Sequence, residues 1–227
     1  MKMIRENDLD IIYKAGTSDK AIIVLHGYGA SCNDLAPIGQ MMDQSGHFHW
    51  YFLDAPLSVD IGYGMEGRAW FPIDMMGLQQ ALMKGSFRSF FADKIPDGFI
   101  EASEKVEALL KSLKEKHSSL ILGGFSQGSM ISSEVAFKNP GLVDKLFILS
   151  GTFVSESHWR DLLSHSTSLP IFQSHGSVDP VLPVSEARRL KEFLEENDQN
   201  HEYHEFHGGH EIPMPVIQSL SAFLVRA

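Results

Sequence analysis

The chain has 227 residues, of which 43% are hydrophobic and 21% are charged, and its formal net charge at pH 7 is -10. This length and composition fit a single globular domain with a sizeable core and argue against intrinsic disorder. The acidic balance and the lack of Lys/Arg clusters argue against a nucleic-acid partner and against attraction to anionic membranes.

The N-terminus and the cysteine count bear on the cellular compartment. The first residues, MKMIRENDLDIIYKAG, interrupt their apolar positions with Glu, Asn and Asp, so they lack the continuous apolar region of a signal peptide. No stretch reaches the length of a transmembrane helix. Cys32 is the single cysteine, which excludes an intramolecular disulfide and predicts a reducing compartment, the cytoplasm by default. We interpret Cys32 as a space-filling residue because no motif around it would activate a thiolate.

Apolar runs alternate with helical patterns along the chain, and no linker composition divides it, which predicts one domain over residues 1–227. The predicted strands are 20–27, 49–56, 118–125, 144–151, 169–176 and a more polar run at 201–208, which we place near a sheet edge. The predicted helices include 97–117 with Asp97 as a cap, 183–197 and 214–227. Continuously apolar strands alternating with helices indicate an α/β fold with a mostly parallel sheet.

Residues 57–98, called the covering segment below, break this alternation. They are rich in Gly, Met and aromatic residues, show no convincing helical period and exceed the length of a normal connection. Their methionines are Met65, Met75, Met76 and Met83. A segment this apolar must cover something, either the sheet itself or a hydrophobic substrate site. We expect a wall over a substrate site that includes Met65, because active sites of open α/β sheets lie at such connections.

The stretch LILGGFSQGSMISSEVAF, residues 120–137, places Ser126 between Gly124 and Gly128 where an apolar run meets a helical pattern. The G-x-S-x-G spacing at a strand-to-helix corner is typical of a nucleophilic serine whose hydroxyl stands clear of the sheet. The alternative is a helix that starts with Ser as its N-cap. Three fixed residues are a weak pattern, so the context must decide between the two.

A serine hydroxyl needs a histidine base, and that histidine needs a carboxylate to fix its tautomer. In this topology the chain order is Ser, then acid, then His, with each partner after a later strand. Asp179 in SHGSVDPVLP and His210 in FHGGHEIP satisfy that order after Ser126. We therefore predict a Ser126, Asp179 and His210 triad.

Other acids and histidines fit the triad less well. Asp54 precedes the serine, Asp144 begins its strand at the opposite end of the sheet, and Asp74 lies on the covering segment. His26 and His175 lie in LHGYGAS and SHGSVD, where an imidazole more often ties a loop through backbone hydrogen bonds. We interpret both histidines as structural.

A histidine recurs every three residues in HEYHEFHGGH, at His201, His204, His207 and His210. On a strand His201 and His207 point to one face and His204 to the other, so the side chains do not converge. We therefore expect no metal site here and no cofactor elsewhere.

An oxyanion needs two amide donors. The first is the backbone amide of Gln127, directly after the serine and at the positive end of the helix. The second is expected in LHGYGAS, where Gly27 and Gly29 allow close backbone approach, and we assign it to the Tyr28 amide.

Five motifs, VLHGYGAS, RAWFPID, GGFSQGS, SHGSVDPVLP and HGGHEIP, together resemble the phospholipase/carboxylesterase family of α/β-hydrolases, which includes acyl-protein thioesterases and small bacterial carboxylesterases. The resemblance runs over nearly the whole chain and implies the α/β-hydrolase fold, with helices on both faces of the sheet. It implies Ser126 as nucleophile, Asp179 and His210 as its partners, and the Tyr28 and Gln127 amides as oxyanion donors.

The resemblance also implies two pocket residues. Trp70 looks like the tryptophan that lines the family's substrate groove, and Phe153 falls where the family has another pocket residue, although core packing also explains it. The chain departs from the family at Tyr28, where many members have Leu, and at Ser129, where many have Gly. Residues 72–95 are longer and richer in Met than in compact members.

The expected activity is hydrolysis of carboxylic esters with short to medium acyl chains, or of thioesters. A lysophospholipid, a protein-bound thioester or a small lactone stays open as substrate. The alternative from another class is a non-catalytic binding protein whose histidine run captures metal. Dimerisation through apolar surface near the covering segment is also left open.

Overall fold

A computed structural model describes residues 1–91, 94–164 and 167–226. Within them lie ten strands and eight helices. The strands are β1 (Lys2–Glu6), β2 (Leu9–Lys14), β3 (Lys20–Leu25), β4 (His49–Leu53), β5 (Leu57–Asp60), β6 (Glu66–Ala69), β7 (Ser119–Phe125), β8 (Lys145–Leu149), β9 (Pro170–Gly176) and β10 (Asn200–Phe206). The helices are α1 (Cys32–Met42), α2 (Met75–Met83), α3 (Arg88–Phe91), α4 (Phe99–Lys114), α5 (Gln127–Lys138), α6 (Glu156–Leu163), α7 (Val184–Glu196) and α8 (Met214–Val225).

Eight strands form one sheet in the order β1-β2-β4-β3-β7-β8-β9-β10. The pairs from β4 through β10 are parallel, and β1 and β2 add an antiparallel end. All six predicted strands are confirmed, including the edge position of the polar one. The carboxyl ends of β3, β7, β9 and β10 therefore open at the same edge of the sheet, which is called the carboxyl edge below.

The apolar core lies on both faces of the sheet. One face carries α4, α5, α6 and α7 over side chains such as Ile23 and Leu122. The other carries α1 and α8 over Ile22, Trp50 and Phe172. This two-sided burial explains why the central strands have continuously apolar sequences. Among the described residues, no helix has the length and apolar character that a membrane crossing requires.

The structure corrects two predictions. The covering segment contains regular structure, the β5–β6 hairpin and helices α2 and α3, whereas its sequence shows no convincing period. Residues 92 and 93 of that segment lie outside the described residues. Asp97 is not the cap of α4, because Gly98 takes the N-cap position with a φ of 74° and no side-chain cap. Glycine adopts that left-handed conformation at little cost.

Cys32 begins α1 and is buried. Burial, with Asp54 nearby, raises the pKa of its thiol to about 11. The thiol is therefore protonated near neutral pH, which supports its interpretation as a space-filling residue.

Candidate active site

Ser126 occupies a sharp corner between β7 and α5. Its φ of 54° and ψ of -120° place a non-glycine residue in a strained backbone region. Its amide donates to the Leu149 carbonyl at 2.8 Å, and its carbonyl accepts from the Ser129 amide at 3.0 Å. The Ser129 hydroxyl donates to the same carbonyl at 2.6 Å. These contacts on both sides of the corner hold the strained conformation.

The glycines around Ser126 are required by close backbone packing. A Cβ on Gly128 would lie 2.3 Å from the Leu25 carbonyl oxygen and 2.5 Å from that of His26. A Cβ on Gly124 would lie 2.5 Å from the Gly128 backbone and 2.7 Å from the Leu25 oxygen. The start of α5 thus lies directly against the end of β3. This contact brings the serine corner and the loop after β3 together.

Asp179 and His210 form a direct contact. His210 Nδ1 lies 2.6 Å from Asp179 Oδ2, and the two side chains are 16% and 0% exposed. The other carboxylate oxygen accepts from the amides of Val181 and Leu182 at 2.8 and 2.9 Å. Burial would raise the pKa of Asp179, but the hydrogen bonds from His210 and these amides outweigh it and lower the pKa. The carboxylate is therefore ionised near neutral pH.

Ser126 lies in the same neighbourhood as this pair. The His210 ring packs against Phe125, the residue before Ser126, with ring centroids 4.8 Å apart. A Cβ on Gly27 would lie 3.2 Å from Ser126 Cβ. The loops after β3, β7, β9 and β10 thus meet at the carboxyl edge, as the chain order of the three predicted residues requires.

The two predicted oxyanion donors have free amides. Within residues 1–91, 94–164 and 167–226, neither the Tyr28 amide nor the Gln127 amide has a hydrogen-bond partner. The Tyr28 loop is held by its next residue, because the Gly29 amide donates to the Arg68 carbonyl at 2.8 Å. A free amide in a fixed loop is available to a developing oxyanion.

The Gln127 side chain ties the serine corner to the covering segment. Its Oε1 accepts from the Trp70 amide at 2.8 Å, and its Nε2 donates to the Phe71 carbonyl at 2.7 Å. Gln127 is 1% exposed, so both bonds are shielded from water. The sequence motif indicates a role only for the backbone amide of this residue. A long polar side chain directly after Ser126 is the signal that could have indicated the second contact.

The three predicted pocket residues occupy different environments. Trp70 is 1% exposed, and its indole donates to the His26 carbonyl at 2.9 Å. Phe153 is also 1% exposed and packs against Trp159 and Phe193. Met65, near the tip of the β5–β6 hairpin, is 54% exposed. Only Met65 of the three presents substantial surface.

Two histidines interpreted as structural bind loop backbone. His26 Nδ1 lies 2.7 Å from the Gly27 carbonyl, and its Nε2 accepts from the Ala55 amide at 3.0 Å. His175 Nε2 lies 2.9 Å from the Leu182 carbonyl. His26 therefore ties the Tyr28 loop, and His175 ties the loop that carries Asp179.

The rejected acids have structural partners. Asp54 accepts from the Cys32 amide and lies 3.2 Å from His26 Nε2. Asp74 caps α2, and Asp144 accepts from the Leu120 amide. These contacts give each of the three acids a structural role that requires no part in catalysis.

The first two histidines of the run, His201 and His204, follow the predicted alternation along β10, and His207 lies beyond the end of the strand. His204 stacks on Phe172, which belongs to the α8 face of the sheet. Neither ring nitrogen of His201 has a hydrogen-bond partner among the residues that the structure describes, and burial lowers the pKa of His201 to about 4. In the part of the chain that the structure describes, no group of three or more His, Cys, Asp or Glu side chains is placed to hold a metal ion.

The sequence of the chain matches a known family and individual relatives. The sequence model of the Phospholipase/Carboxylesterase family matches residues 6–226. Acyl-protein thioesterase 1 of Kluyveromyces lactis is 26% identical over 206 residues, which cover 84% of this chain and 82% of the relative.

Solved structures share the fold. Esterase PE8 superposes with a TM-score of 0.78 at 23% identity, covering 95% of this chain and 97% of its own. A carboxylesterase from Mesorhizobium loti superposes with a TM-score of 0.76 at 14% identity over 100% of both chains. The chain belongs to the phospholipase/carboxylesterase family and has the α/β-hydrolase fold.

Proposed function

We propose that the chain is a serine hydrolase that cleaves carboxylic esters or thioesters through an acyl-enzyme intermediate. The observation that carries the proposal is the 2.6 Å contact between His210 Nδ1 and the buried Asp179 carboxylate, next to the strained Ser126 corner. Asp179 fixes the His210 tautomer with the proton on Nδ1, so Nε2 keeps a lone pair for the serine proton.

The reaction then has two halves. Ser126 Oγ attacks the substrate carbonyl carbon while His210 Nε2 takes the hydroxyl proton, and the oxyanion accepts hydrogen bonds from the Tyr28 and Gln127 amides. The bond to the leaving group breaks as His210 returns the proton to the departing oxygen or sulfur. In the second half His210 deprotonates a water that attacks the acyl carbon, and the carboxylic acid leaves Ser126 with its proton restored.

The substrate is proposed to have an apolar acyl group. Ile61, Tyr63 and Met65 are exposed at the hairpin tip, and a Cβ on Gly29 would lie 3.0 Å from Ile61 Cγ2, so the hairpin lies over the Tyr28 loop. Val178, beside Asp179, is 60% exposed. Met65 would contact the acyl group directly. Trp70 and Phe153 would shape the pocket from behind, since both are buried.

The proposal also concerns the molecule that carries the acyl group. The K. lactis relative is named an acyl-protein thioesterase, which makes an acylated protein a candidate beside a small ester or a lysophospholipid. We place the protein in the cytoplasm because its single thiol excludes an internal disulfide framework.

Turnover of 4-nitrophenyl acetate and butyrate tests the proposal. The Ser126→Ala variant should lose about 10⁴-fold or more of kcat, because the nucleophile is removed. Ser132→Ala is the matched control: it lies on the same helix, its hydroxyl donates only to the Gly128 carbonyl, and it should keep its activity. Undiminished turnover in Ser126→Ala, or no labelling of folded protein by a fluorophosphonate, would reject the assignment.

A matched substrate series then separates the candidates. Acyl lengths from acetyl to palmitoyl, each on an oxygen and on a sulfur leaving group, give kcat/KM values on one scale. A preference for long acyl groups on sulfur would favour a thioesterase, and a preference for short oxygen esters would favour a carboxylesterase.

A further inference from the structure

Two imidazoles flank the Asp179 carboxylate. His210 Nδ1 lies 2.6 Å from Oδ2, and His175 Nε2 lies 3.4 Å from the same oxygen. His175 is the penultimate residue of β9, four positions before Asp179, and its side chain is 0% exposed. Its sequence motif, SHGSVD, indicates only a residue that ties a loop.

The tautomer of His175 follows from its contacts. Nε2 faces two oxygens, the Leu182 carbonyl at 2.9 Å and Asp179 Oδ2 at 3.4 Å. Two acceptors can share that position only if Nε2 carries a hydrogen. Nδ1 is buried and has no hydrogen-bond partner within the described residues, so it has no acceptor for a hydrogen of its own. His175 is therefore a neutral ring with its hydrogen on Nε2.

The surroundings of His175 favour that neutral form. Burial lowers the pKa of His175, and the Leu182 carbonyl and Asp179 only partly offset the effect. The other titratable groups that act on it are His210 on the loop after β10 and Glu205 on β10. Arg188 pairs with Glu205 at 2.6 Å, so that carboxylate is already neutralised.

Burial thus gives the two histidines different roles. His210 is partly exposed and can exchange a proton with Ser126, whereas His175 is sealed from solvent. We propose that His175 is a positioning residue: its Nε2–H holds the Leu182 turn and aims a positive dipole at Asp179, which keeps the carboxylate oriented toward His210. The proposal rests on the function proposed above.

The dipole has a kinetic consequence. A positive N–H end directed at the Asp179 and His210 pair lowers the affinity of the pair for an added proton. When the N–H is removed, the pair takes up that proton at higher pH. The acid limb of the pH profile of kcat/KM should therefore move to higher pH.

Two variants test this consequence. His175→Leu removes the N–H, whereas His175→Gln keeps an N–H donor of similar reach. In the Leu variant kcat should fall about three- to tenfold with KM unchanged, and the acid limb should rise by about half a pH unit. The Gln variant should recover most of both effects. A folded Leu variant with the wild-type profile, or equal losses in both variants with an unshifted acid limb, would overturn the proposal.

The wild-type protein provides a test that does not depend on folding of a variant. Tautomer-sensitive 15N NMR should show His175 as a neutral ring with its hydrogen on Nε2 from pH 7 to 9. A hydrogen on Nδ1, or protonation of His175 in that range, would contradict the proposal. Failure of the hydrolase function is distinguishable, because wild-type protein would then resist fluorophosphonate labelling whatever the NMR result.

Discussion

The serine corner and the two helices of the covering segment show opposite kinds of packing. Around Ser126 the backbones of β3 and α5 touch so closely that a methyl group on Gly128 has no room. In the covering segment, by contrast, Met76 and Met83 are each 76% exposed, and a Cβ on Gly85 would meet no atom of the described residues within 4 Å. One region allows almost no change of side-chain size, and the other allows a great deal.

This difference separates two requirements of a hydrolase. Attack on a carbonyl needs the nucleophile, the base and the oxyanion donors within a fraction of an ångström of their working positions. Contact with a flexible acyl group needs surface that adapts, and methionine side chains provide it. The predictions below test whether function depends on the two regions as differently as their packing suggests.

The largest effect is expected at Asp179, inside the closely packed region. The Asp179→Asn variant removes the charge that fixes the His210 tautomer, so kcat should fall by about 10⁴-fold. The 4-nitrophenyl butyrate assay at neutral pH measures the loss. A variant that keeps a tenth of wild-type kcat would show that His210 does not depend on this carboxylate.

The same variant has a pH-dependent stability effect. The pKa of Asp179 is lower in the folded protein than in the unfolded chain. The ionised carboxylate therefore stabilises the fold at pH values above its unfolded-state pKa, and this stabilisation is lost as the pH falls through its folded-state pKa. The wild type should be more stable than Asp179→Asn at pH 7, and the difference should shrink below about pH 4. Urea unfolding across this pH range measures the difference in the free energy of unfolding. A difference that grows on acidification would contradict the predicted direction.

The next effect compares one glycine from each region. Gly128→Ala should cost about 1–3 kcal/mol, because its methyl group must displace the Leu25 and His26 carbonyls. Gly85→Ala should cost about 1–2 kcal/mol for a different reason, since Gly85 has a φ of 65°. The two variants should therefore lose similar amounts of stability. Only Gly128→Ala shifts the Ser126 corner, so kcat should fall about 100-fold in that variant and stay unchanged in Gly85→Ala. Equal kcat in the two variants would remove the distinction between the regions.

The same contrast explains what the sequence could predict. The common location of Ser126, Asp179 and His210 at the carboxyl edge was predictable, because a short local motif and the chain order of strands constrain it. The central strands were predictable because burial on both faces leaves a continuous apolar run. The sequence does not indicate β1, β2 or the β5–β6 hairpin as strands, since polar residues interrupt their short apolar runs.

Contacts between distant residues could not be predicted. The burial of Trp70 depends on hydrogen bonds to the Gln127 side chain and to the His26 carbonyl. The contact of His175 with Asp179 depends on how the loop after β9 turns, and the motif SHGSVD does not specify that turn. Both features require the packed fold, because the atoms that decide them come from separate elements.

A smaller effect is expected where the two regions join. Gln127→Ala leaves the Trp70 amide and the Phe71 carbonyl buried without partners, which should cost about 2–4 kcal/mol. The backbone amide of Gln127, the proposed oxyanion donor, is retained, so kcat should fall only about tenfold. Gln79→Ala, on the exposed face of α2, is the matched control and should change neither quantity. Thermal unfolding measures the stability, and the ester assay measures kcat. If Gln127→Ala is as stable as the wild type, the hydrogen bonds from Gln127 to Trp70 and Phe71 contribute nothing to stability.

The smallest effect is expected at the outer edge of the covering segment. Arg88 on α3 lies 3.1 Å from Glu156 on α6, and Arg160 lies 3.4 Å from the same carboxylate within α6. Both arginines are about half exposed, so either change to Ala should cost no more than about 1 kcal/mol. Only Arg88→Ala removes an ion pair between the covering segment and the body, so limited proteolysis within residues 72–91 should accelerate in that variant and not in Arg160→Ala. Equal cleavage rates would mean that the apolar contacts of Phe87 and Phe91, both buried, hold α3 in place without the ion pair.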